Sequence, residues 1–143
     1  MPPVFIGWTQ MVDEMLDSTT FTPRMRELTI LRVAHLQDCT YELSQHVGLA
    51  RDAVLTEAQI TAILGDSELE AAGFGHTERA VLELVTELCT THQLCEDAFG
   101  AVHTVLGDAA LTELLMVVSC YYGLALVLNA ADLDIDTTAR LQV

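Results

Sequence analysis

Lysine is absent from this chain of 143 residues, and its only basic side chains are six arginines. Asp and Glu together number 21, so the formal net charge at pH 7 is −15. Proteins that bind nucleic acid or anionic membrane surfaces neutralise phosphates with clusters of basic residues. We therefore expect neither nucleic acid nor a membrane as partner, and a small molecule is the predicted ligand. The arginines are Arg24, Arg26, Arg32, Arg51, Arg79 and Arg140.

The N-terminal segment MPPVFIGWTQMVDEML also lacks basic residues, and it meets acidic ones at Asp13 and Glu14. Secretory leaders begin with a basic region, so we expect none here. Cysteines at positions 39, 89, 95 and 120 lack the spacing of a disulfide framework. Free thiols in a reducing cytoplasm are therefore the expectation.

Charge is missing from residues 114–131, LLMVVSCYYGLALVLNAA. This run is at the lower length limit for a membrane-spanning helix, and Glu113 and Asp132 flank it where basic anchors are usual. Hydrophobic residues make up 51% of the chain, which is a large share for so small and acidic a protein. We therefore expect a helix buried inside a homo-oligomer.

Strand signals are lacking as well, because β-branched residues never alternate with polar ones over a useful length. The sequence predicts an all-α fold, a compact helical bundle of about six or seven helices in one domain, residues 1–143. A first amphipathic helix carries Phe5, Trp8, Val12 and Met15. Five further helices are predicted to begin at Thr22-Pro23, after a cap at Asp38, at a capping box from Thr56 to Gln59, after Thr77 and at Glu96. The final helix is predicted to begin after Gly107, with Asp108 as its cap. The predicted ends are near residues 36, 53, 65, 106 and 129, and the acidic segment ADLDID is predicted to be a solvated end.

The stretch QDCTYELSQHVGLA places Cys39, Glu42 and His46 at offsets of 0, 3 and 7. Each helical residue advances by about 100°, so these side chains project from one face. A cysteine in the first helical turn meets the positive end of the helix dipole, which favours thiolate. A carboxylate beside a histidine fixes one tautomer and raises its basicity. The face predicts an acid–base cluster with an optional nucleophile, or alternatively ordinary packing with a core cysteine and a solvated glutamate.

The run TPRMRELTILRVAHLQDCTYELSQHVGLARDAVLTEAQI, residues 22–60, resembles the signature region of the carboxymuconolactone decarboxylase and alkylhydroperoxidase D-like superfamily. Weaker similarity continues through TERAVLELVTELCTTHQL and YYGLALVLNA. The resemblance implies an all-helical protein assembled as a trimer or hexamer. The peroxidase branch has the pattern Glu-(x11)-Cys-x-x-Cys-x-x-x-His. Glu27 occupies its leading glutamate position, Cys39 its first cysteine and His46 its histidine.

Glu42 stands where the peroxidase branch has its second cysteine. That branch needs a second thiol to resolve a sulfenic acid as a disulfide, so the cycle cannot close locally here. The decarboxylase branch agrees better, since the resemblance implies a glutamate and a histidine near a small lactone acid, with neither metal nor organic cofactor. Glu27, Glu42 and His46 are suited to holding such a substrate and delivering a proton.

Three functional hypotheses follow. The first is cofactor-independent decarboxylation or a related proton transfer on a small cyclic acid, lactone or quinone-like molecule. In it His46 is the principal acid or base, Glu27 and Glu42 orient it, and Cys39 lies at the pocket floor. The second is a thiol-dependent peroxidase built around Cys39. The third is a catalytically silent binding or assembly protein on the same scaffold.

An anionic substrate entering so acidic a protein needs a local cation. Arg24, Arg26, Arg32 and Arg51 flank the motif and are all candidates, and a neutral substrate is equally open. Four other residues have the ligand types of zinc without a usual finger spacing, and we interpret them as core cysteines and surface histidines. They are Cys89, His92, Cys95 and His103. The sequence thus predicts no metal site.

Overall fold

A computed structural model describes residues 2–65 and 69–132 of the chain. The regular elements in these ranges are all α-helices, which confirms the predicted all-α bundle. The six helices are α1 Pro3–Asp17, α2 Pro23–Leu36, α3 Thr40–Asp52, α4 Glu57–Ile63, α5 His76–Thr91 and α6 Glu96–Ala131. Arg140 and most of the predicted acidic end lie outside the described residues.

Helix α2 is the centre of the bundle, and it packs against α3, α4, α5 and α6. It begins as predicted, because the Thr22 hydroxyl accepts a hydrogen bond from the Met25 N–H and Pro23 occupies the first turn. Residues 26–34 are all buried. A helix enclosed by four others buries polar side chains together with apolar ones, and this brings Arg26 and Glu27 inside the protein.

The turn between α2 and α3 differs from the prediction. Asp38 does not cap α3; it adopts a left-handed φ of 50°. Its N–H donates to the His35 carbonyl, and the Cys39 N–H donates to the Ala34 carbonyl at 2.9 Å. These two bonds form the motif in which a left-handed residue ends a helix, a position that Asp tolerates. Asp38 therefore ends α2, and Cys39 becomes the N-cap residue of α3 without a side-chain cap.

Helix α6 contains the break that the sequence predicts at Gly107, where φ is 74° and ψ is 175°. Glycine adopts this conformation without steric cost, and this non-helical residue is the kink at which the two predicted helices meet within the range of α6. Its second arm buries Val117, Tyr121 and Leu128. By length and composition alone α6 could cross a membrane, which is weak evidence because the core helices of soluble proteins satisfy the same criterion.

Helix α1 lies at the edge of the bundle, and none of its residues is fully buried. Trp8, Met11, Val12 and Met15 pack half-buried against the core. The end of α1 is attached through Arg26, whose Nη1 donates to the carbonyls of Met15 and Ser18 at 3.1 and 3.3 Å. The helix therefore covers one side of α2 and α6 while its C-terminal end is held by a buried guanidinium.

Candidate functional site

The packing of α2 against α3 joins Glu27 to His46. Glu27 Oε2 lies 2.8 Å from His46 Nδ1, and the two side chains are 8% and 12% exposed. An ionised carboxylate can only accept a hydrogen bond, so the contact places a proton on His46 Nδ1. In the neutral ring this leaves the Nε2 lone pair available. This is the arrangement of a histidine that is oriented for proton transfer.

Tyr121 on α6 fixes the plane of the His46 ring. The two rings meet edge to face, with centroids 5.2 Å apart and an interplanar angle of 88°. Burial raises the pKa of the Tyr121 hydroxyl, and nearby Glu27 raises it further, so this phenol is neutral at physiological pH. The run around Tyr121 was predicted to be buried, and no sequence pattern joined it to the histidine.

Glu42 lies one helical turn before His46 and is 2% exposed. Neither of its carboxyl oxygens has a hydrogen-bond partner among the described residues. Burial raises its pKa to about 8. At pH 7 Glu42 is therefore mostly a neutral carboxylic acid with a proton to donate. Of the two glutamates expected to orient His46, Glu27 makes the hydrogen bond to it and Glu42 makes none.

Cys39 lies on the same side of α3 and is fully buried against Ala34, Ala125 and Leu128. Burial raises its pKa, and the charge of Glu42 adds to this effect, although the Glu42 and Tyr41 N–H groups oppose it. The helix N-terminus therefore does not give Cys39 a low pKa, because desolvation outweighs the helix-end contribution.

A second thiol lies near the same carboxyl group. This thiol is Cys120 on α6. Its pKa is raised by burial first and by the charge of Glu42 second, and the Trp8 indole N–H slightly opposes this rise. Cys120 of α6 thus lies near Glu42. All four cysteines are free thiols.

A cavity of about 350 Å³ opens beside the Glu27 end of the pair. It is formed where α2, α3 and the end of α1 meet, and its walls are mainly apolar. The lining residues are Leu16, Pro23, Arg26, Glu27, Leu49, Asp52 and Ala53. A space of this size accommodates a small single-ring molecule.

The four residues with zinc-ligand chemistry occupy separate environments. Cys89 is buried, which raises its pKa to about 11. His92 Nε2 is 3.2 Å from the Tyr122 hydroxyl, and His103 Nε2 is 2.7 Å from Asp108 Oδ1. Cys95 caps α6 by accepting the Ala98 N–H. In the part of the chain that the structure describes, no three His, Cys, Asp or Glu side chains converge on a metal position.

Comparison with known proteins agrees with this architecture. The sequence model of the carboxymuconolactone decarboxylase family matches residues 2–87, which is more than half of the chain. None of the curated proteins is similar enough to match.

Two solved structures share the fold. One is a protein of unknown function from Agrobacterium tumefaciens, provisionally described as the antioxidant defence protein AhpD, with a TM-score of 0.85 and 17% identity over 96% of this chain and 94% of that one. The other is an uncharacterised peroxidase-related protein from Silicibacter sp. TM1040, with a TM-score of 0.74 and 15% identity over 90% of this chain and 68% of that one. At such identities the likeness concerns the fold alone.

Proposed function

Because the chain belongs to the carboxymuconolactone decarboxylase family, we propose that it is a cofactor-independent enzyme of acid–base chemistry. The reaction is decarboxylation or a related proton transfer on a small cyclic acid, lactone or quinone-like substrate. One observation carries this proposal: Glu27 is hydrogen-bonded to His46, whereas Glu42, one turn away, is buried and neutral. In acid–base catalysis, two neighbouring titratable groups typically have different protonation states because their environments differ.

In the decarboxylation, the electron pair of the breaking carbon–carbon bond enters the conjugated ring as carbon dioxide leaves. The Glu42 carboxyl donates a hydrogen bond to the ring oxygen that receives this charge. His46, which enters this step as an imidazolium with its Nδ1–H donating to Glu27, then delivers its Nε2 proton to the ring carbon, and the neutral ring regains a proton from water. In a simple proton transfer His46 removes the proton first and returns it at another position.

Turnover by substituted proteins tests these roles. We expect Glu42→Gln and His46→Ala each to lower turnover of an active lactone or quinone substrate by about 10²- to 10⁴-fold, the usual contribution of a positioned acid or base. Arg51→Gln is the matched control, since Arg51 pairs with Glu57 at the surface. Circular dichroism should show all three proteins folded. Full activity in either site variant would contradict the proposal.

Peroxidase chemistry is the second candidate, favoured by the names of the two proteins that share the fold. Two observations weigh against it here: Cys39 is a buried thiol with a raised pKa, and Glu42 occupies the place of the resolving cysteine. Organic hydroperoxide consumption with excess dithiol separates the candidates. A rate that disappears in Cys39→Ser would establish a redox centre, and no rate in either protein favours the acid–base reaction.

The exposed side of α6 supports a homo-oligomer, either a trimer or a hexamer, as part of the same proposal. Met116, Leu126 and Val127 are 43%, 55% and 63% exposed, within a run that carries no charge. Light scattering should give a multiple of the chain mass, and Val127→Glu should reduce it. Val54→Glu is the control at another exposed valine and should leave the mass unchanged; an unchanged mass in Val127→Glu would remove α6 from the interface.

A further inference from the structure

Arg26 is a buried cation without a carboxylate partner. Its residue exposure is 6%, and it lines the cavity beside Glu27. No ion pair joins it to any described residue, and Glu27 is engaged with His46. Buried charges in proteins are normally paired, because removal from water without a counter-charge is costly.

The hydrogen bonds of Arg26 leave one edge of its guanidinium unused. Nη1 makes all of its hydrogen bonds to described residues, donating to the carbonyls of Met15, Ser18 and Phe21. Nε is buried and has no partner in residues 2–65 and 69–132. The edge formed by Nε and Nη2 therefore carries no hydrogen bond to this part of the chain. This edge presents two parallel N–H groups, the geometry that binds both oxygens of a carboxylate.

The other arginines that flank the motif are engaged elsewhere. Arg24 pairs with Glu78 and also donates to Gln59. Arg32 donates to the Thr86 hydroxyl and to the carbonyls of Ile63 and Gly65. Arg51 pairs with Glu57 at the surface.

We propose that Arg26 binds the carboxylate of a small monoanionic ligand in this cavity and so positions it beside Glu27 and His46. The ligand carries one negative charge and not two, because Glu27 and Asp52 line the same space. A second carboxylate there would meet acidic walls without a further cation. The catalytic purpose of this site rests on the proposed function, whereas binding of the anion can occur without any turnover.

Three single-ring probes test the charge preference with the wild-type protein: benzoate, its neutral analogue benzamide, and the dicarboxylate terephthalate. Isothermal titration at pH 6.5 should give benzoate an affinity about tenfold or more above that of each of the others, as expected for a charge-assisted two-point contact. Equal affinity for benzoate and benzamide, or no measurable benzoate binding, overturns the proposal.

Two substitutions locate the site. Arg26→Gln should abolish benzoate binding, whereas the surface control Arg51→Gln should retain it. Since Arg26 also holds the end of α1, Asp52→Asn supplies a test that leaves this attachment intact. Removing the Asp52 charge should tighten benzoate binding several-fold and reduce the discrimination against terephthalate. Unchanged affinities in Asp52→Asn, or normal benzoate binding by a folded Arg26→Gln protein, place the anion elsewhere and overturn the proposal.

The catalytic proposal can fail separately. His46→Ala should still bind benzoate, because Arg26 and the cavity walls are unchanged. Benzoate binding by a protein that turns over no substrate would leave Arg26 as an anion-binding residue and reject only the acid–base reaction. Turnover of uncharged substrates without any benzoate binding would reject the role of Arg26 alone.

Discussion

Glu27 and Glu42 lie on neighbouring helices and are almost equally buried, at 6% and 2% exposure. Glu27 has a histidine nitrogen 2.8 Å away. Within the described part of the chain Glu42 has no hydrogen-bond partner for either oxygen, and burial raises its pKa to about 8. The comparison shows that burial alone does not determine what a carboxyl group does in this protein. The presence of a hydrogen-bond donor separates a carboxylate that holds a histidine from a neutral acid that can give up a proton.

The difference between the two glutamates should have its largest effect on how the free energy of unfolding depends on pH. The ordinary pKa of Glu42 is 4.5, and in the folded protein it is about 8. Between these values the folded chain keeps a proton that the unfolded chain has lost, so the free energy of unfolding falls by about 1.4 kcal/mol per pH unit. The stabilisation is fully present below about pH 4.5 and is lost as the pH rises towards 8, roughly 4 to 5 kcal/mol in total.

Urea unfolding of wild type and Glu42→Gln at several pH values measures this effect. The amide does not titrate in this range, so the difference between the two proteins isolates Glu42 from the other acidic groups. We expect the variant to gain stability relative to wild type as the pH rises. Parallel pH profiles would mean that Glu42 is already ionised, and its proposed role as an acid would fail.

Substitution of Glu27, the carboxylate that has a partner, should change the free energy of unfolding less than substitution of Glu42 does. It should also destabilise the protein, whereas Glu42→Gln should stabilise it at high pH. Glu27→Gln keeps the shape of the side chain but removes the charge from its hydrogen bond to His46. Hydrogen bonds to charged groups contribute about 1.5 to 3 kcal/mol, so we expect a loss of this order in the free energy of unfolding at pH 7. Glu57→Gln, at the exposed pair with Arg51, is the control and should cost less. Equal losses in the two variants would show that the buried contact has no special strength.

The smallest expected effect concerns Cys39. Alkylation followed by mass spectrometry should modify exposed Cys95 first, because Cys39, Cys89 and Cys120 are buried. Above about pH 8, where Glu42 is ionised, Glu42→Gln should accelerate the alkylation of Cys39 by less than about tenfold, since the Glu42 charge is secondary to burial in raising the pKa of Cys39. Modification of Cys39 before Cys95 would instead indicate the reactive thiol that peroxidase chemistry needs.

Local sequence patterns predicted much of the helical framework. The Thr22 cap and the Thr56 capping box are both present, because each depends on residues within one turn. The break at Gly107 also lies where it was predicted. Asp38 was misplaced because an aspartate suits both the start of a helix and a left-handed helix end. Only the position of the Ala34 carbonyl decides between these alternatives.

The sequence predicted which residues of α3 share one face, but it could not predict the hydrogen bonds and ring contacts that these residues make. Helical spacing placed Cys39, Glu42 and His46 on one face, yet it could not say which of them is hydrogen-bonded. That depends on contacts from distant segments: Glu27 comes from α2 and Tyr121 from α6. The raised pKa of Glu42 likewise follows from tertiary packing, which no local pattern encodes.

The packing of Cys39 against Ala125 and Leu128 has a consequence for synthesis of the chain. The signature helices α2 and α3 are translated before α6, which supplies the Ala125 and Leu128 side of the wall that covers Cys39. At about 5 to 20 residues per second, roughly 4 to 16 seconds separate His46 from Leu128 on the ribosome. During that interval α2 and α3 are complete while the α6 side of Cys39 is uncovered. The second arm of α6 therefore closes a site whose Glu27, Cys39 and His46 have been made earlier.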